Sequence, residues 1–426
     1  MSTLPRGTRE SAGRLVKILV IASDIPATAN MAGSPRLFSL CRSLAEHHAL
    51  TLAAFCSSAE RQQAYLDDPA TPGVFERMHV LPSRPAPDWL GQQVHRLWQE
   101  VHFGTRFRNR AFTAQTRATI RALAAAGGFD LVYVDGLPAA PYVIGSGISC
   151  RAAVDLHDCI SLLYRRKIAM ERNWLRKLQL RGETRSITYW ERSVSSIFGL
   201  VIFNSRVDEQ FFGELDPAAH TLTIANGVDS VFFHAGDHDT TQPEALLFTG
   251  VMSYHPNADA ARFFANDILP LIRERRPDAE FRVVGKDPGE DVRALARLPG
   301  VRIVGEVLDM RIHVAQAGVF VCPLRWGAGV KNKILAALAM GKAVVATRLS
   351  IEGIELVDGV HVLLADEPSD FATQVVSLMN DPARARRLGE AGREFVTRRY
   401  SWESSGRQLD DALTQFVQAA ARNASA

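Results

Sequence analysis

At 426 residues the chain is too long for one ordinary hydrophobic core, and 47% hydrophobic with 22% charged residues is the balance of a globular protein with a solvated surface. A formal net charge of only +3 argues against a dedicated nucleic-acid binder. The five cysteines (Cys41, Cys56, Cys150, Cys159, Cys322) are odd in number, scattered and without zinc-ligand spacing, so they read as free thiols in a reducing compartment.

No apolar run reaches the roughly 18–20 residues of a bilayer span. The run at 15–22 contains Lys17 and stops before Asp24; it reads as a first buried strand rather than a membrane helix or signal peptide. Residues 1–14 are polar and read as a loose tail. The chain is therefore expected in the cytoplasm, free or peripheral on the inner face of the cytoplasmic membrane.

In chain order, β-branched runs predict strands at 17–22, 50–55, 78–82, 130–134, 152–156 and 199–204, and the spacing predicts an amphipathic helix over 36–47. The pattern then restarts, with strands at 245–249, 280–284, 301–304, 319–322 and 343–347 and helices at 258–276 and 330–340. Strands alternating with helices imply parallel sheets covered on both faces. The organisation read from this is a Rossmann-like domain at 15–232, a linker at 233–244, a second Rossmann-like domain at 245–400, and a helix and tail at 401–426 that returns to the first domain. Ligands of such sheets sit beyond the carboxyl ends of the strands, and two joined units enclose a cleft.

The chemistry concentrates in residues 322–347, CPLRWGAGVKNKILAALAMGKAVVAT, which reads strand, glycine-rich turn, helix, strand. Gly327 and Gly329 let the backbone approach a ligand, and the helix starting near Val330 directs free N–H groups at that space. Arg325, Lys331 and Lys333 add full positive charge. On the residues alone this is either a diphosphate cradle or an ordinary strand-loop-helix with solvated lysines. Asp135, at a strand's carboxyl end facing the cleft, is a candidate catalytic residue, or else a turn-forming aspartate before Gly136. His157 and Asp158 end another strand at the same edge and are candidate cleft residues, or structural ones. Asp237 and Asp239 have Asp-x-Asp spacing, but in the linker, so no metal is assigned to them.

The order and spacing of several motifs resemble glycosyltransferase family four, retaining enzymes of the GT-B fold, and most of all its exopolysaccharide-associated branch. The motifs are the glycine segment Gly33, Ser34, Pro35, Arg36; the hinge Asn226, Gly227, Val228, Asp229 with Phe232; the stretch 248–257 around Gly250; Ile303 to Glu306; Tyr400, Ser401, Trp402; and the 322–347 segment itself. The resemblance implies transfer of a sugar from a nucleotide-diphosphate sugar to a glycan or lipid-linked acceptor hydroxyl, with no metal or other cofactor. It assigns leaving-group stabilisation to Arg325, Lys331 and Lys333, and donor contacts to Gly33, Gly250, Gly327 and Gly329, with Arg36 on the acceptor side. Two glutamates that the family carries fall at Ala328 and Ala336 here, so Glu352 or Glu355 stand as substitutes. The alternative is a catalytically impaired homologue that binds a nucleotide-sugar or a partner glycosyltransferase. A sugar-nucleotide epimerase would need carboxylates for proton abstraction near the donor loop.

Two basic clusters complete the reading. Residues 96–121 interleave Arg96, Arg106, Arg108, Arg110, Arg117 and Arg121 with Trp98, Phe103, Phe107 and Phe112; residues 165–185 carry eight basic side chains beside Trp174. They suit an anionic membrane surface, or are solvated helices whose aromatics pack inward.

Overall fold

The computed structural model describes residues 15–26, 35–56, 59–81, 114–143, 148, 150–234 and 241–424. Two parallel sheets organise them, as the alternation of strands and helices predicts. The first has the order β3-β2-β1-β4-β5-β6-β7, formed by β1 (Lys17–Ala22), β2 (Ala49–Phe55), β3 (Arg77–Leu81), β4 (Leu131–Asp135), β5 (Arg151–His157), β6 (Leu200–Phe203) and β7 (Thr221–Thr223). The second has the order β10-β9-β8-β11-β12-β13, formed by β8 (Gln242–Thr249), β9 (Glu280–Val284), β10 (Val301–Gly305), β11 (Ala317–Cys322), β12 (Val344–Ala346) and β13 (Leu363–Leu364).

β1 is apolar from Ile18 onward because helices cover both faces of the sheet. Ile18 to Ala22 are wholly buried, with Ile18, Val20 and Ala22 in one core and Leu19 and Ile21 in another on the opposite face. β7 and β13 are too short to leave a periodic signature, which is why only pairing with β6 and β12 reveals them. The helix expected over 258–276 is interrupted: it runs His255–Phe263, widens to a π-turn at Phe264–Ile268, and resumes as Leu269–Arg273. Pro270 has no N–H to give to the regular ladder, and the wider turn accommodates it.

The chain passes between the halves twice. The forward passage follows β7, and the return lies at Tyr400 to Trp402. The two are stitched together: the Val228 N–H donates to the Tyr400 carbonyl at 2.7 Å, and Gly227 lies directly against the Trp402 backbone. The last helix, Trp402–Ala424, then packs on the first half. Trp402, Leu409 and Leu413 join its core beside Leu37, Leu40 and Leu44, and His48 Nε2 meets Asp410 at 2.6 Å.

Candidate functional site

The site lies where strand ends of the two sheets face each other. In the second half, the turn after β11 is pinned from behind. Thr347 Oγ1 donates to the Leu324 carbonyl and Ser350 Oγ to the Cys322 carbonyl, each at 2.6 Å. Gly327 and Gly329 then adopt positive φ, 144° and 71°. A Cβ on Gly329 would lie 2.1–2.5 Å from the Asp158 carboxylate of the first half, so glycine is required both by conformation and by space. The helix that follows begins at Asn332 (Asn332–Ala339), two residues later than the periodicity suggests, with Lys331 at its N-cap.

The two lysines differ. Lys331 is buried, donating to the Gly329 carbonyl. Burial pulls its pKa down while Glu352 and Asp158 pull it back up, so this cation is already balanced by carboxylates. Lys333 donates to Asn257 Oδ1 at 2.7 Å, and its Nζ sits 4.3 Å from the Phe248 ring centre. Burial lowers its pKa to about 8, the neighbouring Lys331 charge adding to the effect. Gly250 makes room for it: a Cβ there would lie 2.7 Å from Lys333 Nζ.

Lys333 and Ala336 line a cavity of about 590 Å³ between the halves. Thr249, Met310 and Arg311 line its second-half side, Ser39 and Arg42 of the helix Arg36–Leu44 its first-half side, and Gly227 and Phe232 the crossing. The Arg311 guanidinium stacks on Phe232 at 4.1 Å.

Three first-half candidates reach this edge. At the irregular end of β5, His157 takes a left-handed conformation (φ 66°) that brings its Nε2 to 2.8 Å from Asp135 Oδ1. Desolvation opposes the imidazolium, but Asp135 and Asp155 outweigh it and raise the pKa to about 9, so Asp135 and His157 form an ion pair at neutral pH. Asp158 accepts from Asn204 Nδ2 at 2.6 Å and abuts Gly329.

Other candidates are not brought to the cleft. Arg36 is fully buried, with Nε on Asp155 (2.9 Å) and Nη1 on the Ile224 carbonyl (2.9 Å) and Asn226 Oδ1 (2.8 Å), so it ties helix, sheet and crossing together rather than facing an acceptor. Arg325 turns onto the helix His255–Phe263, bidentate on Asp259 (3.0 and 2.6 Å) and stacked on Phe263. Glu355 is exposed and held by Arg399 at 2.6 Å. Glu352 is at the turn, gripped by Arg166 of the first half, a residue that sequence reasoning saw only as one of a basic cluster. Asn257 and Thr347 close motif stretches without having been singled out, and Ser350 lies outside every motif. Gly33, most of the 96–121 cluster and Asp237 with Asp239 lie outside the described residues. Among the described residues no group of three or more His, Cys, Asp or Glu side chains is arranged to hold a metal ion.

Residues 243–381, which contain the glycine turn, Lys331 and Lys333, match the family described as "Glycosyl transferases group 1". A GDP-mannose-dependent alpha-(1-6)-phosphatidylinositol monomannoside mannosyltransferase of Mycolicibacterium smegmatis is 31% identical over 163 residues, 34% of this chain and 42% of that protein. The chain spans about half the length of the curated relatives it matches. Over the whole fold, the chain is similar to sucrose-phosphate synthase of Thermosynechococcus elongatus, with a TM-score of 0.69 at 17% identity, covering 95% of this chain and 100% of that one. It is also similar to Anabaena HepE in complex with UDP and glucose, with a TM-score of 0.65 at 15% identity, covering 94% and 99%. The fold is GT-B: two facing Rossmann-like units with a C-terminal helix returning to the first.

Proposed function

We propose that this chain is a glycosyltransferase that moves a hexosyl group from a nucleotide-diphosphate sugar to an acceptor hydroxyl with retained anomeric configuration, in exopolysaccharide, lipopolysaccharide or glycolipid assembly. The observation that carries the reading is Lys333, a half-desolvated ammonium set by Asn257 and Phe248 on the wall of the inter-half cavity, one helical turn before Ala336. As the bond from the anomeric carbon to the diphosphate breaks, negative charge gathers on the leaving oxygens. A fixed cation and the helix N–H groups meet that charge without reorganising. Lys331 supports the turn from beneath. No metal or other cofactor is part of the proposal, and transfer is expected to persist in a chelator.

Acceptor chemistry is read from the first half. The helix Trp174–Val194 presents Trp174, Leu175 and Leu178 to solvent at 70%, 58% and 61% exposure, flanked by Arg176, Lys177 and Arg181. These aromatic and aliphatic groups do not pack inward, and an apolar stripe among cations suits an anionic membrane surface carrying a lipid-linked acceptor. Among the described residues no helix is long and apolar enough to cross a membrane.

One observation favours a second reading: with Ala at 328 and 336, the turn and its helix offer no carboxylate of their own, as in a homologue that binds but does not turn over. Calorimetry with UDP, GDP and their common sugars, on wild type and Lys333→Ala, tests the site. Binding of one nucleotide at micromolar strength, lost on substitution, supports the donor site and selects the substrate for turnover assays. Folded wild type that binds none of them would sink the enzyme reading.

A further inference from the structure

Arg166 belongs to the first half, on the helix Ile160–Met170, but reaches across to the second. Its Nη1 donates to the Gly327 carbonyl at 2.7 Å and to Glu352 Oε2 at 2.5 Å, and its Nη2 to Glu352 Oε1 at 2.8 Å. One guanidinium thus holds both the backbone of the glycine turn and, bidentately, a carboxylate beside it. Glu352 follows the tight turn Arg348–Ile351, which is itself anchored through Ser350 to the strand end at Cys322. Both partners are only half-buried, so each keeps access to solvent.

A bidentate pair occupies one acceptor direction on each carboxylate oxygen and leaves the other free. Glu352 is therefore aimed, charge-compensated and still able to accept hydrogen bonds. A carboxylate in this state suits neutral hydroxyl donors better than an incoming phosphate, which it would repel. Around the same turn, Asp158 and Glu352 already balance Lys331, which leaves Lys333, on the other side of the turn, as the cation for the diphosphate.

Resting on the donor site proposed above, we propose that Arg166 is a positioning residue: it holds Glu352 at the glycine turn so that the carboxylate accepts hydrogen bonds from hydroxyls of the donor's sugar. Because the guanidinium comes from the opposite half, the carboxylate is in place only when the halves are closed. Sugar recognition is thereby coupled to closure, and the missing carboxylate at Ala328 is supplied from a different element.

The test compares, by calorimetry, binding of UDP and GDP with binding of UDP-glucose and GDP-mannose to wild type, Arg166→Ala, Arg166→Lys, Glu352→Gln and the Arg166→Ala/Glu352→Gln pair. For the sugar nucleotide that binds wild type, each single substitution weakens affinity about tenfold or more, as expected for loss of a hydrogen bond to a charged group. The double variant is no weaker than the worse single one, because the two residues act as a unit. Affinity for the matching nucleoside diphosphate stays within about twofold of wild type in Glu352→Gln, the contact of that carboxylate being to the sugar alone. Arg166→Lys keeps the charge but loses the fork, and is expected to behave as Arg166→Ala does; it also carries the test if the alanine variant fails to fold. Equal weakening of nucleoside diphosphate and sugar nucleotide in Glu352→Gln, or single effects that multiply in the double variant, would overturn the proposal and leave Arg166 as a strut between the halves. Wild type that binds no nucleotide at all overturns the donor site itself, a result distinct from either.

Discussion

At the scale of single residues, the neighbours of each lysine decide what it can do. Lys331 is enclosed among carboxylates and backbone, whereas Lys333 has a neutral amide and an aromatic face as partners. Burial brings the Lys333 ammonium down to about 8, close enough to neutrality to matter. A protonated amine attracts a diphosphate and a neutral one does not. Affinity for the nucleoside diphosphate is therefore expected to be complete below that pKa and to fall as pH rises through it, approaching a limit of about tenfold per pH unit before the bound-state pKa is passed. Calorimetry across this range checks the profile, and Lys333→Arg, which stays charged throughout, flattens it. A profile equally steep in the arginine variant would assign the titration elsewhere. Glu352 and Glu355 show the same dependence on surroundings: three residues apart, one is turned to the glycine turn by Arg166 and the other to the surface by Arg399.

Among the described elements, the helix Trp174–Val194 has an exposed apolar face that calls for a partner. Its N-cap is well formed, Asn173 Oδ1 accepting from the Leu175 and Arg176 N–H groups, so the helix start that carries Trp174 is held in place. Sedimentation with vesicles containing phosphatidylglycerol is expected to capture the protein, and added salt to release it. Trp174→Ser with Leu178→Ser removes two side chains, each able to contribute about 1.5–3 kcal/mol on burial, so binding should weaken at least about tenfold. Undiminished binding by this variant would move the membrane contact to another surface. The helix beginning at His255 teaches a different lesson. Its apolar pattern spans the interruption without a break, because the π-turn before Pro270 shifts the ladder while keeping Phe264, Ile268 and Leu269 buried.

For the whole molecule, the paired crossings at 226–229 and 400–402 set how the halves meet. A methyl on Gly227 would fall 2.5 Å from the Trp402 nitrogen and 2.8 Å from its Cα, and backbone on both sides cannot yield cheaply. Gly227→Ala is expected to cost about 1–3 kcal/mol in urea unfolding, the range for overpacking. Gly213→Ala, in the helix Arg206–Leu215 where an added Cβ meets nothing within 4 Å, should stabilise by about 0.5–1 kcal/mol. Equal effects of the two substitutions would show that the crossing is looser than its packing implies.

The sequence by itself determined the described strands other than β7 and β13, the helices near 36–47, 330–340 and the C-terminus, the glycine turn and the lysines that follow it. These are written in runs of neighbouring residues, as β-branched stretches, periodic apolar positions and glycines at a strand-to-helix turn. Folding decided which charges meet. Arg36 is absorbed by Asp155 and Asn226, 119 and 190 residues away, and Arg325 by Asp259, 66 residues back. Arg166 finds Glu352 across 186 residues and across the gap between the halves. A side chain long enough to reach several partners takes the one that the packed sheets and the two crossings bring within 3 Å, and no local pattern records that choice.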